Sequence, residues 1–382
     1  MGQGFVGKVK VVHLLPALEQ GGVESVVCDL VRCFRFQVSG FRFQVESVIV
    51  SKGGRQVARV EQAGGRHIAL DLKSKNPLTY FIRAWKLRRI LRTEKPDLVC
   101  VHSRVPAWIF VWANRSLGLK WISYAHGANS VSRYSGVMTK GDLVIVPSKF
   151  LADYLKASYK VADEKIRIIS NPVDTERFDP AKLDAAFIAE KRREWGIREG
   201  DHVQMAVGRI TPVKGLEGLI ENLKSQISDL KPGAAGSKSN NRTIEQSNNV
   251  RLVIVGGADK GHRQYLQYLK DLASTIHLSS SPSSSPVIFA GPQEKIPECI
   301  AIADEIVSGN TTKPETFGLS VVEAYAMNKP VRVVRRFGGV AEVMDAVEQA
   351  GCATLREAVL KLYGMDRFAE RTLTAYREAC RV

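Results

Sequence analysis

Ten short, continuously apolar runs rich in Val and Ile punctuate this 382-residue chain, and a helix-like stretch follows each. They begin at Val9–Leu15, Val45–Ser51, Leu98–His102, Trp121–His126 and Leu143–Pro147. They resume at Val203–Gly208, Leu252–Gly256, Val287–Gly291, Glu305–Ser308 and Val331–Val334. Apolarity that is continuous rather than alternating predicts strands covered on both faces, hence parallel sheets. Strand and helix alternating over this length predict doubly wound α/β structure.

The series falls into two halves. Between them stand Ser170-Asn171-Pro172-Val173-Asp174, a charged helical stretch at Ala181–Trp195 and a turn at Gly196–Gly200, which puts the junction near 170–200. A length of 382 residues suits two or three domains of roughly 100–200 residues each. Ligands approach such sheets at the carboxyl ends of the strands, so a substrate cleft between two domains is expected. Lys231–Asn249 and Ser279–Pro286 read as polar surface loops. The repeat of Phe34–Val38 at Phe41–Val45 reads as a local duplication that lengthens the loop before a strand.

No stretch approaches the roughly 20 apolar residues of a membrane-spanning helix, and Val105–Ala113 is the longest candidate. The N-terminus lacks a signal-peptide layout, and after Gly2 a Val stands at position 6 where myristoylation wants Ser or Thr. A cytoplasmic protein is expected. Cys28, Cys33, Cys100, Cys299, Cys352 and Cys380 form no CxxC pair and read as free thiols, mostly buried. The net charge is +16, and residues 1–180 hold 28 Lys and Arg against 15 Asp and Glu. Such a field favours anionic partners, whether phosphates, acidic lipids or nucleic acid, and also fits a merely solvated basic surface. Asn76–Lys95 reads as an amphipathic helix, with Leu78, Phe81, Ile82 and Trp85 on one face and Arg83, Lys86, Arg88, Arg89 and Arg92 basic. It fits either an anionic membrane surface or an ordinary sheet-covering helix with its apolar face in the core.

Four constellations carry candidate chemistry. Glu315 and Glu323 bracket Thr316-Phe317-Gly318-Leu319 and open a helical run at Gly318–Met327, with Glu315 in the loop and Glu323 about two turns along. A helix N-terminus there suits a diphosphate, and the carboxylates suit sugar and ribose hydroxyls. Two glutamates at this spacing equally suit a solvated helix face. Arg209 and Lys214 follow the strand Val203–Val207 and offer a forked and a point cation to a diphosphate, or form an exposed basic turn. Gly21-Gly22 follows the first strand, where backbone can approach a ligand or simply turn. His126 ends a strand, where a His contacts substrate or serves structure. His13, His67, His102, His202, His262 and His277 show no metal-ligand spacing. The chain has no GxxxxGK[ST] loop, no GxSxG elbow and no GxGxxG.

Taken together and in this order, Arg209-x4-Lys214 and Glu315-x7-Glu323 resemble the retaining glycosyltransferases of family 4. Gly21-Gly22, Gly338-Gly339-Val340-Ala341-Glu342 and the junction Ser170–Phe178 match as well, and the resemblance covers roughly residues 8–345. His126–Tyr134 is similar to bacterial members that build lipopolysaccharide or other surface glycans. The resemblance implies a GT-B fold: a Rossmann-like acceptor domain over 1–175, a Rossmann-like donor domain over 176–360, and a C-terminal helix over 361–382 that packs back on the first domain. It implies a nucleotide-diphosphate sugar as donor, a glycan or lipid-linked acceptor, no cofactor, no metal and no nucleic acid. Arg209 and Lys214 would neutralise the departing diphosphate, helped by N–H groups over Thr316–Leu319. Glu315 would hold donor-sugar hydroxyls, Glu323 the ribose, His126 the donor sugar near its 6-hydroxyl, and Gly21-Gly22 would admit donor and acceptor. The same architecture serves sugar-nucleotide epimerases and phosphorylases, and the basic first half alone would fit a non-catalytic membrane or nucleic-acid binding module. Pro172 and Asn328 stand where the family favours Gly, and the run from Glu342 to a closing helix at Leu355–Tyr363 is short for it.

Overall fold

The structure is a computed structural model that describes residues 7–19, 21–34, 43–74, 76–229, 249–276, 285–309 and 313–380. Gly2, His277, the Phe34–Val38 repeat and the polar segments within Lys231–Asn249 and Ser279–Pro286 lie wholly or largely outside the described residues. The chain divides into two compact units, Met1–Asp174 with Tyr363–Val382, and Thr175–Leu362.

The first unit carries strands β1 (Gly7–Leu14), β2 (Phe43–Ser51), β3 (Arg66–Ala69), β4 (Leu98–Val101), β5 (Trp121–Tyr124), β6 (Leu143–Val146) and β7 (Ile166–Ile168). Its helices are α1 (Gly22–Cys33), α2 (Val57–Gln62), α3 (Tyr80–Glu94), α4 (Arg104–Asn114) and α5 (Lys149–Tyr159). In the second unit β8 (Asp201–Val207), β9 (Asn249–Val255), β10 (Val287–Gly291), β11 (Glu305–Ser308) and β12 (Val331–Val333) alternate with α6 (Ala185–Glu194), α7 (Leu216–Asp229), α8 (Arg263–Ser274), α9 (Ile296–Ile302), α10 (Leu319–Ala326) and α11 (Gly338–Gln349). Two helices close the chain, α12 (Leu355–Tyr363) and α13 (Met365–Cys380). The described residues form a seven-stranded sheet in the order β3-β2-β1-β4-β5-β6-β7 and a five-stranded sheet in the order β10-β9-β8-β11-β12. Every ladder is parallel.

The continuous apolar runs become central strands: β4, β5 and β6 are buried at every position. Two strands were not foreseen. β3 (RHIA) and β7 (IRI) are the edges of the larger sheet, short and only partly buried. An edge strand has one neighbour and tolerates charge, so no apolar run announces it. Among the described residues the smaller sheet ends at β12, and the short run after Glu342 holds only helix α11 and a turn into α12.

α13 belongs to the first unit, against α1 and β4. Its Tyr376 is fully buried, with its hydroxyl 3.2 Å from that of Tyr124 on β5. The crossing segment is held at each end of the motif Val173–Phe178. Val173 and Phe178 are buried, and Asp174 pairs with Arg32 of α1. Arg356 of α12 donates to the carbonyls of Thr175 (3.0 Å), Ala326 (2.9 Å) and Phe178. Asn328 adopts the left-handed conformation, φ 54°, that Asn fills best after Gly. All six cysteines are free, and Cys28, Cys33, Cys100 and Cys299 are buried.

α3 does not bury the face its sequence suggested. Ala84, Leu87 and Leu91 enter the core. Leu78, Phe81, Ile82 and Trp85, by contrast, are 84%, 58%, 55% and 50% exposed. Two of the basic residues are structural: Arg83 is buried and donates to the Ser74, Asn76 and Thr79 carbonyls, and Arg88 donates to Ala113 and stacks on Trp112. Lys86, Arg89 and Arg92 are exposed.

In the smaller sheet Arg251 of β9 meets Asp201 of β8 at 3.2 Å, with side chains 5% and 1% exposed. Removing one partner of such a pair strands the other charge, which costs about 3–5 kcal/mol. Arg251→Met is expected to lower the urea midpoint accordingly, and Arg251→Met with Asp201→Asn to recover part of the loss.

Candidate active site

In the smaller sheet the chain runs from β8 to β9 and β10 on one side, then returns to place β11 on the other side of β8. Connections leave the carboxyl ends of β8 and β11 in opposite directions, which opens a crevice between them. Arg209, exposed, follows β8 directly. The chain then makes a one-turn 3-10 helix, Pro212–Lys214, closed by left-handed Gly215. That turn aims the Lys214 ammonium at the Glu315 carboxylate, and the two form an ion pair. Glu315 lies in the loop that joins β11 to α10. Gly208, Arg209, Lys214, Ser308, Gly309 and Ser320 line one cavity at this end of the sheet.

Gly318 opens α10 at φ +88°, a conformation that favours Gly. The first N–H groups of a helix have no partner within it, so Leu319 and Ser320 point donors out of the end that carries the positive dipole. Glu323 is the fifth residue of α10, one turn in rather than two, and is partly buried. Thr316 is partly buried. The Phe317 ring is buried, so this residue offers a ligand only its backbone. The loop is held from behind by Gly338-Gly339 at the start of α11. Gly339 N–H donates to the Glu315 carbonyl at 2.8 Å, and a Cβ on Gly339 would collide with the Thr316 carbonyl.

The first unit repeats the reversal, with β2 and β4 flanking β1. Gly21, in extended conformation, caps α1, and Gly22 is its first residue. His126 follows β5 and is partly exposed. Behind it two further imidazoles form a row: His102 Nδ1 lies 3.1 Å from His126 Nε2, and His13 Nδ1 lies 3.1 Å from His102 Nε2. His102 also stacks on Tyr124 at 4.7 Å between centroids. Arg209, Lys214, Glu315 and the start of α10 are thus brought together in the second unit, while His126, Gly21 and Gly22 belong to the first.

Comparison with known proteins gives this geometry a context. The family described as Glycosyltransferase Family 4 matches residues 20–177, and that described as Glycosyl transferases group 1 matches residues 187–354. The chain belongs to glycosyltransferase family 4. A D-inositol 3-phosphate glycosyltransferase of Mycobacteroides abscessus is 29% identical to this chain over 205 residues, 53% of the chain and 39% of that protein. The matches span less than half the length of the first such relatives. Among solved structures, a glycosyltransferase from Rickettsia africae aligns with a TM-score of 0.74 at 21% identity, over 97% of this chain and 98% of its own. Anabaena HepE in complex with UDP-glucose aligns at 0.72 and 17%, over 96% and 99%. WaaG, a glycosyltransferase involved in lipopolysaccharide biosynthesis, aligns at 0.60 and 15%, over 97% and 94%. At these identities the likeness establishes the fold, two parallel-sheet Rossmann-like domains of GT-B type.

The chain also places near its strand ends residues to which motif reading gave no role. His13 and His102 had been judged only by metal-ligand spacing; the available signal was their position, one near the end and one at the end of a predicted strand. Ser308 and Gly309 belong to no motif, and the register of β11 with β8 brings them to the cavity; Ser320 lies inside Glu315-x7-Glu323 without having been given a role.

Burial holds all three histidines neutral. It depresses the pKa of His13 to about 3 and of His126 to about 4, and it lowers that of His102 well below the usual value, helped by its two neighbours. The unfolded chain protonates them near 6.5. Unfolding therefore takes up protons once the pH falls below about 6.5, and stability is lost from there down to the folded values. Each histidine contributes a slope of up to about 1.4 kcal/mol per pH unit. His13→Asn is expected to remove one such increment, so its urea midpoint should decline less steeply from pH 6.5 to 4 than that of the wild type.

Proposed function

We propose that this chain transfers a sugar from a nucleotide-diphosphate sugar to a glycan or lipid-linked acceptor, with retention of anomeric configuration and without a metal. The observation that carries the reading is the meeting of Arg209, Lys214, Glu315 and the α10 N-terminus at the reversal between β8 and β11. Two cations and a row of N–H donors suit a diphosphate, whose negative charge grows as the sugar departs. Fixed positive groups at that place lower the barrier because they act most strongly on the transition state. In this reading Glu315 accepts from donor-sugar hydroxyls and Glu323 from the ribose. The backbone of Thr316, Phe317, Gly318 and Leu319 faces the phosphates. His126 meets the donor sugar, and Gly21 and Gly22 let the loop after β1 come close to the reactants. Attack on the leaving group's own face would retain configuration without a carboxylate nucleophile. The likeness to proteins crystallised with UDP-glucose or named for lipopolysaccharide biosynthesis supports a donor of this class and an acceptor in surface-glycan synthesis.

The exposed face of α3 supports work at a membrane. No helix among the described residues is long and apolar enough to cross one. Leu78, Phe81, Ile82 and Trp85 instead form an apolar stripe beside Lys86, Arg89 and Arg92, a pattern suited to the interface of an anionic bilayer. The protein would then meet a lipid-linked acceptor at the surface where it resides, peripheral to the membrane and free of nucleic acid.

Lys214→Ala and Glu323→Ala are each expected to lower turnover about 100-fold or more with little change in melting temperature. Nucleotide-diphosphate sugars should raise the melting temperature of the wild type; a panel that leaves it unmoved, with near-normal turnover in both variants, would reject the assignment. In co-sedimentation, the wild type should partition onto phosphatidylglycerol vesicles and not onto phosphatidylcholine ones. Phe81→Ser with Trp85→Ser should abolish that partition, and equal binding by wild type and double variant would refute the membrane surface.

A further inference from the structure

We propose that a cavity in the first unit takes the hydrocarbon chain of a lipid phosphate, which makes the sugar acceptor lipid-linked rather than a free glycan. The acceptor role rests on the reading of this protein as a sugar transferase; the binding of a lipid phosphate does not. The cavity measures about 380 Å³, within the roughly 300–1,000 Å³ of ligand pockets. It lies where α3, α4 and the loop between β5 and β6 meet, lined by Ser74, Tyr80, Arg83, Val105, Trp108 and Tyr134. Two hydrogen bonds in series fix its frame. The Tyr80 hydroxyl donates to the Trp108 carbonyl at 2.6 Å, and Trp108 Nε1–H donates to the Tyr134 carbonyl at 3.0 Å. The Trp108 and Tyr134 rings stand nearly parallel, 12° apart in plane.

Hydrogen-bond accounting selects the body of the occupant. The Tyr80 hydroxyl and the Trp108 indole N–H are already spent on carbonyls. The buried Arg83 guanidinium is spent on those of Ser74, Asn76 and Thr79. Ser74 Oγ accepts from the Asn76 N–H at 3.2 Å. A sugar ring there would give up water at several hydroxyls and find few partners, which is costly. A hydrocarbon asks for no partner and gains by leaving water. Charge selects the head. No acidic residue lines the cavity. Besides Arg83 in the wall, the Arg104 guanidinium lies 5.4 Å from the centre of the Tyr134 ring, and the Lys140 ammonium 5.5 Å from that of Trp108. Cations beside apolar walls suit a hydrocarbon that ends in an anion, and a phosphate offers several acceptor oxygens to them.

Placement agrees with both ends of such a molecule. α3 carries Tyr80 and Arg83 into the cavity wall and leaves Leu78 and Phe81 exposed. The Phe81 ring meets that of Tyr80 edge-on at 5.3 Å, so the exposed apolar stripe and the cavity wall are continuous. Val105 stands in the first turn of α4, just after β4, and the loop that carries Tyr134 starts from β5 at His126. The cavity therefore sits at the carboxyl end of the larger sheet, where ligands of such sheets bind.

Fluorine spectra of the full-length protein labelled with 5-fluorotryptophan read this directly, with Trp108→Phe and Trp85→Phe used for assignment. Octyl phosphate below its micellar concentration is expected to move the Trp108 resonance saturably. Affinity should rise about fourfold (about 0.8 kcal/mol) for each methylene added from hexyl to octyl phosphate. Octyl glucoside, with the same alkyl group and no charge, should bind about tenfold more weakly. Val105→Phe, which fills the cavity, should abolish the Trp108 titration and leave vesicle binding through the exposed stripe intact. A Trp108 resonance that stays still while that of Trp85 moves would overturn the proposal, as would inorganic phosphate that moves Trp108 equally, or octyl glucoside that binds as tightly as octyl phosphate. Equal binding of dioctanoyl-phosphatidylglycerol would make the cavity a seat for bulk lipid and overturn the acceptor assignment. A folded Val105→Phe variant with an unchanged titration would do the same for the cavity. The wild-type titrations decide even if that variant does not fold. No sugar nucleotide enters them, so a failed transfer assay and a failed lipid-phosphate titration are separate results.

Discussion

The reversal of strand order beside the first strand of each sheet is the constraint on which the rest depends. In a parallel sheet every connection must cross a face, and two successive connections that depart in opposite directions leave a crevice at the strand ends. Here β8 stands between β9 and β11, and β1 between β2 and β4. Candidate ligand-facing side chains hang from these ends, Arg209 after β8 and Glu315 after β11, while His102 after β4 is buried. The sheet brings together residues 101 positions apart, as in the pair Lys214–Glu315, without any local sequence relation between them.

Close backbone approach is what makes the second crevice small enough to act. A Cβ on Gly256 would collide with the Gly208 carbonyl, and one on Gly309 with the Gly215 carbonyl. The turns after β8, β9 and β11 therefore pack main chain on main chain. Arg209 and Lys214 follow the first of these turns. Gly338-Gly339 does the same for the loop that carries Glu315. Positive charge placed on so tight a frame needs little reorganisation when an anion arrives, which is the physical basis of electrostatic preorganisation.

Much of this was legible in the sequence, for reasons that also explain what was not. Continuous Val/Ile runs betray central strands because both faces are buried, and all ten such runs became strands. β3 and β7 were silent because an edge strand needs neither length nor apolarity on both faces. Arg209, Lys214 and Glu315 were readable as a set through the resemblance of their motifs, in that order, to a known family. The histidine row was not readable. His13, His102 and His126 are 89 and 24 residues apart, and only the order β1-β4-β5 makes them neighbours. α3 misled for a related reason: apolar spacing marks a face but does not say which side the sheet will cover, and the narrower stripe of Ala84, Leu87 and Leu91 took the core.

The pairing of Lys214 with Glu315 bears on how such a site is held between turnovers. Their side chains are 30% and 15% exposed, so water screens the pair and its net worth is modest. A diphosphate outcompetes a single carboxylate for the ammonium by charge and by number of acceptor oxygens. In the proposed reading the phosphate takes over the lysine, and the Glu315 carboxylate turns to hydroxyls on the donor sugar. The pair thus sets each group within reach of the place where the other's ligand would sit. A Lys paired elsewhere on the surface would have to swing in at the moment of binding, and that reorganisation would reduce affinity and rate together.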